Sequence, residues 1–140
     1  MAGRAGVARH STGDAARAAP KFLNLAAIRF PVGAIASILH RISGIVLVLA
    51  LPLLASALGE SLSGPEGFRA VLEGATRSWY APLLLVGVWA LVHHIFAGVR
   101  HLLMDVGIGS RLAPARASAF VSIAAGVVAA VVWLALWAVR

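Results

Sequence analysis

The segment Pro82–Asp105, PLLLVGVWALVHHIFAGVRHLLMD, decides the fold, because it is long, strongly apolar and carries only a few polar side chains. It exceeds the ~20 residues that an α-helix needs to cross a ~30 Å hydrocarbon core. Lipid offers no hydrogen bonds to a polypeptide backbone, so a helix is the form in which such a segment spans a membrane. We therefore predict a transmembrane helix over approximately residues 82–104.

Two other segments, approximately residues 35–58 and 117–139, have the same length and apolar character. The sequence thus predicts an all-α integral membrane protein, an up-down-up bundle of three transmembrane helices in one membrane domain, residues 21–140. Both connections contain turn-forming residues, and the first also contains an aromatic pair typical of a membrane interface. We expect the turn-forming residues of the second connection to end one helix before the next begins. These residues are Gly64, Pro65, Trp79 and Tyr80 in the first connection and Gly107, Gly109 and Pro114 in the second.

The composition also favours a membrane protein, since 61% of the 140 residues are hydrophobic and only 12% are charged. The absence of cysteine excludes disulfides, thiolate metal sites and a cysteine nucleophile. The net charge of +7 comes from basic residues that are spread over the N-terminal segment and the helix ends rather than clustered with aromatic residues. We therefore expect anionic lipid headgroups as the partner of these charges, and no nucleic acid.

Residues 1–20 are rich in alanine, glycine and arginine and have almost no large apolar side chain, so we expect a flexible basic arm there. Basic residues are concentrated before the first span and in the second connection, whereas the first connection also contains acidic residues. The positive-inside rule then predicts a cytoplasmic N-terminus and a C-terminus on the outer side of the membrane.

Polar side chains within a membrane span are costly, so those that persist usually face the protein interior or serve a site. The third span contains almost none and is expected to serve packing. The polar residues of the other two spans are Ser37, His40, Arg41 and Ser43 in the first and His93, His94, Arg100, His101 and Asp105 in the second.

In the second span, His94, Gly98, His101 and Asp105 fall at i, i+4, i+7 and i+11 and therefore form one stripe on the helix. A neutral imidazole near the bilayer centre needs partners for a donor and an acceptor, and haem iron is a fitting partner. Because the chain has no CxxCH motif, such a haem would be bound noncovalently. The adjacent His93 is a second candidate ligand, and a hydrogen bond between helices is the alternative for either histidine.

In the first span, Ser37, Arg41 and Gly44 share one helical face, and His40 lies beside them. Near the cytoplasmic end, His40, Arg41 and His101 are candidates to pair with haem propionates. The alternative for Arg41 is that its side chain extends to the lipid headgroups without a further role.

Two strings resemble the signatures of a known family, the cytochrome b subunit of succinate dehydrogenase. They are IRFP, residues 28–31, followed by SILHRISG, residues 37–44, and then HIFAGVRHLLMD, residues 94–105, of the form H-x-x-x-G-x-R-H-x-x-x-D. The string SGPEGF, residues 63–68, is similar to bacterial members. The match covers roughly residues 24–109, and both signatures lie at the expected ends of consecutive spans.

The resemblance implies a multi-pass anchor subunit of succinate dehydrogenase in a bacterial inner membrane, paired with a second small membrane subunit. It also implies docking of an iron–sulfur subunit and a flavoprotein, a haem b shared with the partner membrane subunit, and a ubiquinone pocket. By position, the implied roles are His94 as axial ligand of the haem iron, Ser37 and Arg41 in the ubiquinone pocket, His40, Arg41 and His101 at the haem propionates, and Asp105 at the cytoplasmic end. At position 93 the chain has histidine where members often have tyrosine, and only His94 lies on the stripe.

Oxidation of succinate needs a flavin chemistry for which this chain has neither motif nor room, so dehydrogenase activity would belong to the complex. One alternative is the anchor of a fumarate reductase, because the direction of electron flow depends on quinone and partner potentials. Another is a haem-free structural anchor whose histidines only bond between helices. A transporter or proton conductor is disfavoured, since neither repeats nor broken helices are visible.

Overall fold

The computed structural model describes residues 30–76 and 80–139. These residues form four α-helices and no β-strand, and three of the helices are long and apolar enough to cross a membrane. The predicted all-α class with three membrane spans is therefore confirmed. The arm, the IRFP residues before Phe30 and Trp79 lie outside the described residues. The helices are α1 Val32–Leu62, α2 Pro65–Thr76, α3 Ala81–Asp105 and α4 Leu112–Ala138.

The connection between α3 and α4 is shorter than the sequence predicts. α4 begins at Leu112, and Pro114, which we expected to keep the two helices apart, lies in its first turn. A proline is tolerated there because the N–H groups of a first turn have no acceptor within the helix. The break itself lies at Gly107 and Gly109, whose φ angles of 84° and 72° are disfavoured for residues with a side chain.

The first connection contains a helix that the sequence analysis did not identify. α1 continues to Leu62, and Gly64 then turns the chain with a φ of 141°, as the Gly-Pro pair predicts. α2 follows at once, with Pro65 in its first position and Glu66 in its first turn. Both residues favour a helix start, because proline lacks the unpaired N–H and the carboxylate faces the positive end of the helix dipole.

Packing of the three long helices is the reverse of a soluble core. α3 contacts both α1 and α4, and the α3–α4 contact is the most extensive. Large apolar side chains point outward, as Leu49 and Leu102 do with exposed fractions of 69% and 68%. Lipid solvates such side chains, and small residues at the seams let the helices approach closely. The buried apolar residues in the described part are all alanine: Ala36, Ala81, Ala90, Ala97 and Ala119.

Gly126 of α4 lies directly against side chains of α3. A Cβ atom at this position would lie 2.9 Å from Cβ of His93 and 3.2 Å from the indole ring of Trp89. The rings of Trp89 and His93 stack with their centroids 5.7 Å apart, and His93 is fully buried. Gly126 is therefore required for the close approach of the two helices.

Gly126→Ala should lower the stability of the membrane domain by about 1–3 kcal/mol, because the added methyl group overpacks a tight seam. Its measure is the melting temperature of the purified detergent-solubilised protein. Gly87→Ala is the matched control, since a Cβ at Gly87 meets nothing within 4 Å. Equal melting temperatures for the two variants would contradict the proposed closeness of the seam.

Candidate functional site

Three histidines meet on the seam between α1 and α3. The rings of His40 and His94 stack with centroids 4.1 Å apart and planes 16° from parallel. The ring of His101, about two turns after His94 on α3, has its centroid 5.2 Å from that of His40. All three side chains are partly exposed. The structure thus brings together three of the residues that the sequence singles out.

The orientation of His94 follows from the backbone of α1. Its Nδ1 lies 3.1 Å from the carbonyl oxygen of His40 and 3.1 Å from Oγ of Ser43. The Ser43 hydroxyl donates to the same carbonyl at 2.8 Å, so towards His94 its oxygen can only accept. Both neighbours therefore require a proton on Nδ1, and the neutral ring keeps its free lone pair on Nε2. A histidine whose Nδ1–H is bonded to a carbonyl is the usual arrangement for a metal ligand through Nε2.

Two glycines leave room for the rings of the histidine cluster, which consists of His40, His94 and His101. A Cβ at Gly44 would lie 3.0 Å from Cε1 of His94, and a Cβ at Gly98 would lie 3.4 Å from Nε2 of His40. The imidazoles of His40 and His94 therefore pack directly on the backbones of the facing helices.

His93 faces the other neighbour of α3. Its Nδ1–H donates to the backbone carbonyl of Ser122 in α4 at 3.0 Å, and the ring is fully buried. Its Nε2 has no hydrogen-bond partner among residues 30–76 and 80–139. Trp89 stacks on the ring, the backbone at Gly126 lies against Cβ, and the side chain is fully buried, so there is no space for a macrocycle beside His93. The two adjacent histidines, which spacing alone left as alternatives, thus serve different interfaces.

Ser37 and Arg41 lie one turn apart on α1. Ser37 is partly buried and Arg41 is exposed. Arg41 lines an open cleft of about 430 Å³ whose other walls are apolar. Within the described part of the chain Arg41 makes no hydrogen bond or ion pair, so its guanidinium donors are available to a ligand. The residues lining the cleft are Arg41, Gly44, Ile45, Val48 and Leu49.

Gly44 connects the cleft to the histidine cluster, since it lines the cleft and also contacts the ring of His94. Arg41 and His94 therefore lie on either side of one glycine. Asp105, by contrast, is the last residue of α3, is exposed, and makes no hydrogen bond to the cluster within the described residues.

Arg100 is the residue whose role the sequence analysis missed. The sequence named it only as one of the polar residues of the second span, but it is 8% exposed and lies where all three long helices meet. Its Nε donates to Oγ of Ser118 at 3.2 Å and its Nη2 donates to the carbonyl of Ala115 at 3.4 Å. On the other side, a Cβ at Gly33 would lie 3.5 Å from Nη2. Arg100 therefore holds α3 to α4 next to the first turn of α1.

The third span does more than the packing that we expected of it. Ser118, Ser122 and Gly126 recur at every fourth position and form one face of α4 towards α3. This face supplies the hydroxyl for Arg100 and the carbonyl for His93. The small-residue spacing, which is typical of close helix pairs in membranes, is the signal that would have identified it.

Comparison with known proteins identifies the family. The profile described as "Succinate dehydrogenase/Fumarate reductase transmembrane subunit" matches residues 16–133. The chain is 38% identical over 112 residues to the succinate dehydrogenase cytochrome b556 subunit of Paracoccus denitrificans, covering 79% of this chain and 85% of the relative. It is 36% identical over 102 residues to the protein of the same name from Coxiella burnetii, covering 72% and 82%.

A third relative is the succinate dehydrogenase hydrophobic membrane anchor subunit of Halobacterium salinarum. It is 37% identical over 81 residues, which cover 57% of this chain and 62% of the relative. Together these matches show that the chain belongs to the family of transmembrane subunits of succinate dehydrogenase and fumarate reductase.

Ser118→Ala should lower the stability of the membrane domain by about 1–3 kcal/mol, because a buried guanidinium N–H loses its acceptor. Thermal unfolding of the purified protein measures the effect. Ser56→Ala is the control, since Ser56 also bonds the carbonyl three residues before it but is exposed. If the two variants have the same melting temperature, the hydrogen bond between Arg100 and Ser118 does not stabilise the protein.

Proposed function

We propose that this chain is the cytochrome b anchor subunit of a succinate dehydrogenase, holding haem b with a partner membrane subunit and forming the site of ubiquinone reduction. The observation that carries the proposal is His94, whose Nδ1–H is bonded to α1 so that Nε2 keeps a free lone pair beside His40 and His101. The names of two relatives, cytochrome b556 subunits, support a b-type haem.

The residues of the α1–α3 seam fit a haem. His94 would be the axial ligand of the iron through Nε2, and the second ligand would come from the partner membrane subunit. His40, Arg41 and His101 would bond the propionates, since imidazole and guanidinium groups are suitable donors to carboxylates. When bound, a low-spin haem of this kind stores and passes single electrons.

Ser37 and Arg41 would bind the ubiquinone headgroup. Arg41 has uncommitted donors at the mouth of an apolar cleft, so it would donate to a quinone oxygen as negative charge develops there on reduction. Ser37, one turn before Arg41, would bond the other end of the headgroup. A quinone bound against the apolar walls would exclude water from this side of Arg41 and so strengthen the electrostatic effect.

Electrons would reach this site from succinate through a flavoprotein and an iron–sulfur subunit, because the chain itself has no flavin-binding motif. The proposed location is a bacterial inner membrane, with the N-terminus in the cytoplasm. The charge distribution and the three spans support this location. The profile covers fumarate reductases as well, but the names of the relatives favour succinate oxidation.

His94→Ala should abolish the low-spin b-type absorption spectrum of the purified complex while the subunits remain assembled, because the iron loses an axial ligand. The control is His93→Asn, whose side-chain amide can still donate to the Ser122 carbonyl and which should keep the spectrum. A full haem spectrum in the assembled His94 variant would support the haem-free anchor instead.

Arg41→Ala should reduce ubiquinone reductase activity by about 100-fold or more, as expected when a donor to developing charge is removed. Succinate oxidation with an artificial dye should remain, since it does not use the membrane site. Arg111→Ala, which removes an exposed arginine before α4, is the control for loss of charge alone. Unchanged quinone reduction in the Arg41 variant would show that Arg41 does not bind the quinone.

A further inference from the structure

Helix α2 has three distinct faces. The apolar face carries Phe68 and Leu72, one turn apart and 55% and 54% exposed. The polar face carries Glu66, Arg69 and Glu73, and Arg69 pairs with Glu66 at 3.2 Å. With about 100° between successive residues, the centres of these two faces lie roughly 110° apart around the helix.

The third face of α2 is formed by two glycines seven residues apart, and it packs on the rest of the protein. Gly67 is buried, and a Cβ there would clash with the carbonyl of Glu60 and with Oγ of Ser63 at the end of α1. A Cβ at Gly74 would lie 3.9 Å from the ring of Tyr80, just before α3. Because this face holds α2 to the bundle, the apolar face turns to one side of it and the polar face to the other.

The ends of the neighbouring spans restrict where α2 lies. α1 ends at Leu62 and α3 begins at Ala81, and both ends belong to the same membrane surface because consecutive spans run in opposite directions. α2 is too short to cross the hydrocarbon core, so it stays at this surface. Outward-facing apolar side chains of α1 extend towards this same end of the helix, and Leu58 among them is 60% exposed.

We propose that α2 is an interfacial helix that lies in the plane of the bilayer surface, with Phe68 and Leu72 among the acyl chains and the charged face in water. A strongly amphipathic helix with aromatic and leucine side chains on one face is suited to the boundary between headgroups and acyl chains. The occupant of the apolar face is thus lipid. This surface is independent of the proposed haem and quinone site.

The test uses the whole complex in native membranes and two substitutions, one on the apolar face and one on the polar face of α2. A photoreactive benzophenone amino acid replaces Phe68 in one variant and Arg69 in the other, and the chain is analysed by mass after illumination. We expect a phospholipid adduct from position 68 and little or none from position 69. A protein adduct at position 68 would overturn the proposal in favour of a docking subunit, and equal lipid yields, or none at position 68, would also overturn it.

A second measurement uses the absence of cysteine from this chain. Phe68→Cys should react with a water-soluble maleimide about tenfold or more slowly than Arg69→Cys in opened membranes, because a thiol in an apolar environment rarely ionises. The mass shift of this chain reports the rate without interference from cysteines of other subunits. Equal rates would place the apolar face in water and overturn the proposal.

Discussion

Polar atoms inside hydrocarbon must find their partners within the protein, and α3 depends on this constraint more than any other helix. Three of its side chains, His93, His94 and Arg100, reach backbone carbonyls of the two neighbouring helices. Water cannot replace these acceptors in the lipid interior. The helices must therefore approach closely enough for side chains of one to meet the backbone of the next, and this explains why the seams consist of glycine, alanine and serine.

The two sides of α3 use the same kind of bond for different purposes. Towards α4, His93 and Arg100 are buried, and their bonds to Ser122 and Ser118 hold the helices together. Towards α1, His94 uses only Nδ1, so its second nitrogen stays available beside His40. A rigid α3–α4 pair thus fixes the rotation of α3, and this rotation presents His94 to α1. Side chains on such a supported helix keep their orientation better than side chains on a loop.

The outer surface of the bundle follows from the same use of small residues between the helices. Since the large apolar side chains are not needed between the helices, they face outward, where lipid or another membrane subunit can cover them. The cleft at Arg41 interrupts this apolar surface with a single cation close to the histidine cluster. A cation with free donors beside an apolar cleft suits a ligand that has a polar head and an apolar body.

The sequence by itself determined the three spans and the identity of the polar residues within them, because apolar length and the 3.6-residue period are local properties of a chain. It also placed His94 and His101 on one stripe of α3, since this follows from their spacing, but spacing could not show that the ring of His40 on α1 stacks on that of His94. It did not show α2, whose short amphipathic pattern lies between two stronger apolar segments, or the start of α4 at Leu112. Only the tertiary structure decided which neighbouring helix each histidine faces and that Arg100 is buried. The physical reason is that the rotation of α3 about its own axis is set by its contacts with α1 and α4 together.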